Sequence, residues 1–181
     1  MKHSMIFMLM LLYVVSVNAQ DVLIDKGGVA HFYSEAPVEN IEATNEKAIG
    51  AYNPKDGSVA VTMFMKDFHF EKSLMEEHFN ENYIESDKYP KATFKGKLDS
   101  KGLDLSKPGT YMQTVGGELT IHGITKKLRT EVEFVVSKEE VQVNTLFKVA
   151  LEDHDIEIPK IVIMNIAEVV DVDAHFNFSL K

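Results

Sequence analysis

The chain has no cysteine and no tryptophan, and Arg129 is its one arginine. Without cysteine there can be no disulfide, no thiolate nucleophile, no cysteine metal ligand and no lipid anchor carried on a cysteine. Without tryptophan, and with a single guanidinium, there is no aromatic and basic surface on which the bases of single-stranded nucleic acid would stack. The formal net charge of -9 also argues against nucleic acid or anionic lipid headgroups as electrostatic partners. Several catalytic signatures are missing too. No glycine-rich phosphate loop is present, and Ser34, Ser58 and Ser86 lack the G-x-S-x-G setting of a nucleophilic serine. Beyond the first 19 residues, no apolar run approaches the roughly 20 residues of a membrane-spanning helix.

What is present begins with an export signal. Lys2 and His3 give a short basic start, an apolar run follows from Met5 to Val15, and Val17-Asn18-Ala19 supplies small residues at a cleavage site. Residues 1–19 therefore read as a cleaved signal peptide and residues 20–181 as one folded domain in the periplasm or outside the cell. With 45% hydrophobic and 26% charged residues, the chain has the composition of a globular protein rather than a disordered one.

Strand patterns dominate this domain. From Ile166 to Leu180, Val170, Val172, Ala174, Phe176, Phe178 and Leu180 alternate with Asp171, Asp173, His175, Asn177 and Ser179. That period of two marks a strand with one buried and one wet face. Val141, Val143, Phe147, Val149 and Leu151 alternate in the same way, as do Val132, Phe134 and Val136. Residues 57–68 put Val59, Val61, Met63 and Met65 on one face, and further strands are expected near 28–35, 40–52, 92–99 and 111–121. Turn chemistry separates them: Asn53-Pro54-Lys55-Asp56-Gly57, Lys101-Gly102, Pro108-Gly109, and a tight corner at His122-Gly123.

One segment changes period. From Ser73 to Tyr83, Met75, Phe79 and Tyr83 recur at helical spacing, with Leu74 and His78 beside them. Ser73 and Glu76 have capping-box spacing, which predicts Ser73 as the N-cap. The expected architecture is all-β: about eight antiparallel strands with one short amphipathic helix. Periodicity alone leaves open whether they form two sheets or close into a barrel.

The histidines and tyrosines admit a plain and a functional reading. There is no H-E-x-x-H, and His78 is followed one turn later by Asn82, so no helical metal pair forms. His154, within Glu152-Asp153-His154-Asp155, reads as a solvated strand end or turn, or else as a weak metal clamp. His122 reads as a corner residue whose ring hydrogen-bonds backbone, or as a proton relay or ligand contact. Tyr83, Tyr89 and Tyr111 read as packing residues, or as apolar area whose hydroxyl offers one polar handle to a bound group. No catalytic residue, metal site or cofactor is expected from these patterns.

Two separated segments carry a family resemblance. One contains His78-Phe79, Tyr83 and Lys88-Tyr89-Pro90-Lys91-Ala92-Thr93-Phe94; the other is Gly117-Glu118-Leu119-Thr120-Ile121-His122-Gly123-Ile124-Thr125-Lys126. In order and spacing they resemble the YceI-like family of exported proteins across nearly all of the mature chain. The resemblance implies a lipocalin-like antiparallel barrel with an apolar interior. It also implies a carrier, not an enzyme, for a long apolar molecule such as an isoprenoid, a quinone or a fatty amide. An eight-stranded barrel can be filled by side chains or hold one small ligand, and flexible Met63 and Met65 suit an irregular apolar site. The residues expected to line it are Met63, Met65, Leu74 and Phe79, together with Tyr83, Phe147, Phe176 and Phe178. The competing readings are a lipid-modifying enzyme working through His78 or His122, and a packed stress or scaffold protein with a protein partner. Oligomeric state stays open, a homodimer included.

The export signal generates a first prediction. Protein recovered from the exported compartment should begin at Gln20, and its intact mass will show this. A species that keeps residues 1–19 would instead be held by an uncleaved anchor.

Overall fold

A computed structural model of the protein describes residues 22–35, 40–158 and 167–180. The proposed leader and Ile166 lie outside these ranges. Among the described residues nine strands form: β1 (Leu23–Ser34), β2 (Ile41–Tyr52), β3 (Ser58–Phe64), β4 (Phe68–Phe70), β5 (Lys91–Leu98), β6 (Gly109–Ile121), β7 (Ile124–Val136), β8 (Glu140–Ala150) and β9 (Val169–Ser179). Between β4 and β5 lies α1 (Ser73–His78), continued by a π-type turn over Phe79–Tyr83.

All pairings are antiparallel, and the sheet closes on itself. β1 pairs with β2 on one edge and with β9 on the other, while the chain runs β2-β3-β5-β6-β7-β8-β9 between them. The result is a closed eight-stranded barrel, which removes the open edges that a flat sheet would expose. The expected run over residues 57–68 is one barrel strand in two pieces. β3 and β4 both pair with β2, and a 3-10 turn at Met65–Asp67 bulges out between them. Asn45, fully buried on β2, satisfies the break. Its side-chain amide donates to the Phe64 carbonyl at 2.9 Å, and its side-chain oxygen accepts the Lys47 N–H at 2.9 Å.

The corner at His122-Gly123 is a two-residue hairpin. Both residues take positive φ, 51° and 75°, as the tight turn joining Ile121 to Ile124 requires. The ring of Tyr89 lies edge-on to His122 at 4.4 Å. A Cβ on Gly123 would come within 2.7 Å of that ring, so this glycine is needed for close approach as well as for φ. The His122 ring places Nδ1 2.9 Å from the His154 carbonyl and Nε2 3.1 Å from a Glu85 carboxylate oxygen. His154 answers with Nδ1 3.0 Å from the Ile124 carbonyl. Glu152, Asp153 and Asp155 are exposed, as expected of a solvated turn at a strand end, and His154 alone turns inward, at 3% exposure. Packing of the 3-10 turn Leu151–His154 onto the hairpin buries it.

β7 and β8 pair only where Val132–Val136 faces Val141–Thr145. Beyond that point they diverge. The Thr145 hydroxyl donates to the Glu131 carbonyl at 2.9 Å, and the Thr130 hydroxyl lies 3.2 Å from the Leu146 carbonyl. Side-chain hydroxyls thus take over from the ladder at this seam.

One end of the barrel is solid. Tyr52, Phe134 and Phe178 meet there with ring centroids 5.2 and 6.4 Å apart, surrounded by Val136 and Val141. Beside them, Phe176 lies flat against backbone. A Cβ on Gly28 or Gly50 would fall 2.3 or 2.5 Å from its ring, so only glycine fits beneath it. The β9 register puts Val170, Ala174, Phe176 and Phe178 inside, while Asp171 and Asp173 stay partly exposed, as the alternation predicts.

Tyr52 generates the prediction for this end. Its hydroxyl oxygen accepts the Leu103 N–H at 3.1 Å, and burial pushes its pKa up from the ordinary tyrosine value. A raised folded pKa means that the phenol's stabilisation is full below the unfolded pKa of about 10 and is lost as pH rises through the folded pKa. Tyr52→Phe should therefore cost about 1 kcal/mol near neutrality through the lost hydrogen bond and soften the alkaline decline. Urea midpoints measured across the alkaline range for both proteins read this out. Parallel pH curves would mean that the phenol does not control the decline.

Candidate functional site

Above the solid end the interior is hollow. Two apolar cavities lie in line along the barrel. The narrower holds about 100 Å³ and reaches from Tyr52, Phe134 and Phe178 up to Met63, Phe94 and Phe147. The wider holds about 280 Å³ and extends from Met63 and Phe147 to the end covered by α1. Met63, Ala92, Leu119, Phe147 and Val172 line both and form the waist between them.

The cover of the wide cavity is built from aromatic rings. Phe79 enters from the turn after α1 and meets Phe32 of β1 and Phe68 and Phe70 of β4 at 5.7, 5.7 and 5.0 Å. The π-type turn sets this placement, because the Ile84 N–H reaches back to the Phe79 carbonyl at 2.9 Å and the Ser86 N–H to that of Asn80 at 2.8 Å. Met75 and Tyr83 join Phe79 in the lining. Glu76 fastens the start of the helix to the barrel: its carboxylate accepts the Phe70 N–H at 3.2 Å and lies 3.5 Å from His69.

Two expectations for this helix are corrected. Lys72, not Ser73, is the N-cap; no side chain caps the helix, and Glu76 binds Phe70 instead of closing a box with Ser73. Leu74, expected in the lining, is 59% exposed and borders neither cavity. A six-residue helix followed by a wider turn has a narrow inward stripe, and Met75, His78, Phe79 and Tyr83 fill it. Of the other expected residues, Met65, Phe79 and Tyr83 line the wide cavity, Phe176 and Phe178 the narrow one, and Met63 and Phe147 both.

Sequence reasoning missed Phe32, Phe68 and Phe70, although Phe68-His69-Phe70 carries the alternation that would have placed two rings on one face. It also passed over Ser34. This residue is 1% exposed and lines the wide cavity. The missed signal was its place at the end of a strand, in phase with Phe32.

Chemically the site is quiet. No carboxylate, lysine or arginine among the described residues lines either cavity, and the side chains of Ser34, His78 and Tyr83 are the polar ones in the wide lining. Burial pushes the Tyr83 pKa up from the ordinary tyrosine value. Among the described residues no group of three or more His, Cys, Asp or Glu side chains is placed to hold a metal ion. Nor is any described helix long and apolar enough to cross a membrane. His122 borders neither cavity, and both its ring nitrogens are engaged at the corner.

A closed eight-stranded antiparallel barrel with an apolar hollow is the class that fold and cavity define. Residues 24–178 match the model of the YceI-like domain, and the chain belongs to that family. It is similar in structure to a polyisoprenoid binding domain from Saccharophagus degradans, with a TM-score of 0.72 and 14% identity over 88% of this chain and 98% of that one. It is also similar to BcnA of Burkholderia cenocepacia, with a TM-score of 0.69 and 16% identity over 83% and 95%. For the Campylobacter jejuni YCEI protein the TM-score is 0.63 and the identity 15%, over 81% and 89%. At these identities the likeness is one of fold. The sequence matches none of the curated proteins.

The helix geometry yields a paired prediction. Ser73→Ala should leave stability within about 0.5 kcal/mol of the parent, since the serine makes no cap. Glu76→Ala should cost about 1 kcal/mol by freeing the Phe70 N–H. Thermal melts of the two variants check this, and the reverse order would restore the capping box.

Proposed function

We propose that the mature protein is an exported carrier that holds a long apolar ligand of the isoprenoid, quinone or fatty-amide class inside its barrel and does not convert it. The observation that carries this reading is the pair of contiguous apolar cavities in a closed barrel of the YceI-like family. A fully packed barrel would leave the aromatic cover and the methionines at 63 and 65 against solid core; here they border empty volume. The polyisoprenoid-binding description of one structural neighbour points in the same direction. Each methylene moved from water into such a cavity contributes about 0.8 kcal/mol before ordering costs, so a long chain binds well with few polar contacts. Acid–base chemistry needs a positioned pair. The described lining offers His78 at the mouth with no carboxylate beside it, which supports a carrier over a lipid-modifying enzyme. The leader and the family together support a periplasmic location.

Met63, Met65, Phe79, Tyr83 and Phe147 are the proposed contacts in the wide cavity and at the waist, with Phe176 and Phe178 at the closed end of the narrow one. Phe147 is the most telling of these, because it borders both cavities. Phe147→Asp would place an unpaired carboxylate at the waist, and it should weaken binding of prenols, quinones or fatty amides by at least about tenfold. A displacement assay with those ligands, run beside product analysis by mass spectrometry, tests the reading. No binding across the panel would sink the carrier proposal, and conversion dependent on His78 would replace it with an enzyme.

A further inference from the structure

β7 and β8 separate beside the hollow of the barrel. β7 is paired with β6 along all of Ile124–Val136, and β8 with β9 along all of Glu140–Ala150. The two share only the rungs from Val136–Val141 to Val132–Thr145. Past the last rung both continue as strand, residues 124–131 facing residues 146–150, without pairing to one another. The register makes Glu131–Leu146 the next rung, and the threonine hydroxyls occupy its place. Thr145 donates to the Glu131 carbonyl at 2.9 Å, and the Thr130 hydroxyl lies 3.2 Å from the Leu146 carbonyl. At the other end of the gap, the turn after β8 is tied back to β7. His154 Nδ1 lies 3.0 Å from the Ile124 carbonyl, and the Lys126 ammonium donates to an Asp153 carboxylate oxygen at 3.1 Å. The result is a slot in the barrel wall, framed at both ends.

The slot gives onto the apolar interior. Leu128 and Thr130 on one lip and Thr145 and Phe147 on the other border the narrow cavity, and Phe147 and Val149 border the wide one. Side chains fill the slot: Leu128 and Phe147 pack in one cluster with buried Val149. On the outer lip Leu146 stands 65% exposed. A seal of side chains gives way when rotamers change, whereas a ladder gives way only when its backbone hydrogen bonds break. The alternative routes are better closed. Over the wide cavity Phe79 is packed among Phe32, Phe68 and Phe70, and Glu76 ties α1 to β4. β1 and β9 pair only over Val29–Tyr33, but beyond Gly28 they part beside the solid end, where Tyr52, Phe134 and Phe178 fill the barrel.

We infer that the slot between β7 and β8 is the entrance by which the apolar chain of a lipid enters and leaves the barrel, with the Thr130 and Thr145 hydroxyls as its latch. An incoming chain meets Leu146 on the outer lip, displaces Leu128 and Phe147, and reaches the waist shared by the two cavities. The inference rests on the carrier reading and adds the route, which that reading leaves open.

A chain without cysteine makes a reversible staple available for the test. Glu131 and Leu146 face each other at the first missing rung, and neither borders a cavity. In the full mature protein carrying Glu131→Cys and Leu146→Cys, an added oxidant closes a disulfide across the slot and an added reductant reopens it. The probe is diphenylhexatriene, a slender uncharged rod that fluoresces in apolar surroundings. Its transfer from protein to phosphatidylcholine vesicles is followed by stopped flow. The oxidised form should transfer it at least about tenfold more slowly than the reduced form with the equilibrium affinity held, because a gate alters entry and exit rates alike. Thr145→Val, which removes the latch hydroxyl, should speed transfer by about fivefold, the rate equivalent of one hydrogen bond. It decides the matter if the disulfide does not form. Equal transfer by the oxidised and reduced forms, or an unchanged rate in Thr145→Val where no disulfide forms, would put the entrance at the α1 cover. That result overturns this inference while the carrier reading stands. A staple that weakens affinity without slowing transfer would likewise overturn it, since it would be deforming the cavity. If diphenylhexatriene does not bind the parent protein at all, the carrier reading falls and takes this inference with it.

Discussion

Closure of the sheet through β1 is the constraint on which the rest depends. β1 gives one edge to β2 and the other to β9, and without that double pairing the eight strands would end in two exposed edges. Closure fixes the width of the interior, and in a barrel of eight strands that width accepts either a filling of side chains or one slender guest. To pair on both sides β1 must bend. Its register with β2 shifts on either side of Gly28, and there the ring of Phe176 presses against bare backbone. One large ring over two glycines helps to solidify the far end, so the free volume collects at the other.

The two ends are built from different materials. The solid end is a cluster of rings from β2, β7 and β9. The open end is made by excursions from the barrel: the broken strand β3–β4, α1 with its wide turn, and the 3-10 turn after β8. The corner at His122-Gly123 ties two of these together. Glu85, following the π-type turn, reaches His122, Tyr89 covers Gly123, and the backbone carbonyl of His154 holds the His122 ring from the other side. The two sequence segments that carry the family resemblance are therefore the two sides of one contact. Their common pattern has a physical basis in holding the mouth of the barrel in shape.

Polar chemistry has been moved to the outside. On the outer face, His31 lies 2.9 Å from Asp173, whose other oxygen is 3.1 Å from His175, and His175 in turn contacts Asn144 at 2.8 Å. That network spans β1, β9 and β8 without entering the cavity. Surface ion pairs such as Lys148 with Asp171, or Arg129 with Asp99, also lie on the wet face and add little each. The acidic surface and the electrically quiet interior are two results of one alternation along the strands.

How much of this was legible depended on the range of the interaction. The period-two pattern in residues 170–180 dictated which side chains of β9 face inward, because a slip of one residue would put Asp171 and Asp173 into the core. The glycine at 123 and the helical period near residue 75 were likewise local signals, and the structure bears them out. Leu74 and Ser73 were misplaced because a short helix is positioned by what it docks on. Phe70 takes up Glu76, and the π-type turn rotates the stripe toward Met75, Phe79 and Tyr83. The run around His154 is solvated as expected, but the inward turn of the His154 ring was not legible, because nothing in its neighbours in sequence foretells the hairpin 30 residues earlier that buries it. By itself the sequence determined the strands, their inward faces and the family, since those rest on alternation and turn chemistry within a few residues. Closure of the sheet, which periodicity left open, was implied by the family resemblance; the tertiary structure alone decided that one end is solid and the other hollow, and that Ser34 and Tyr83 share one cavity. Those outcomes depend on pairings between residues far apart in the chain, whose geometry no local pattern contains.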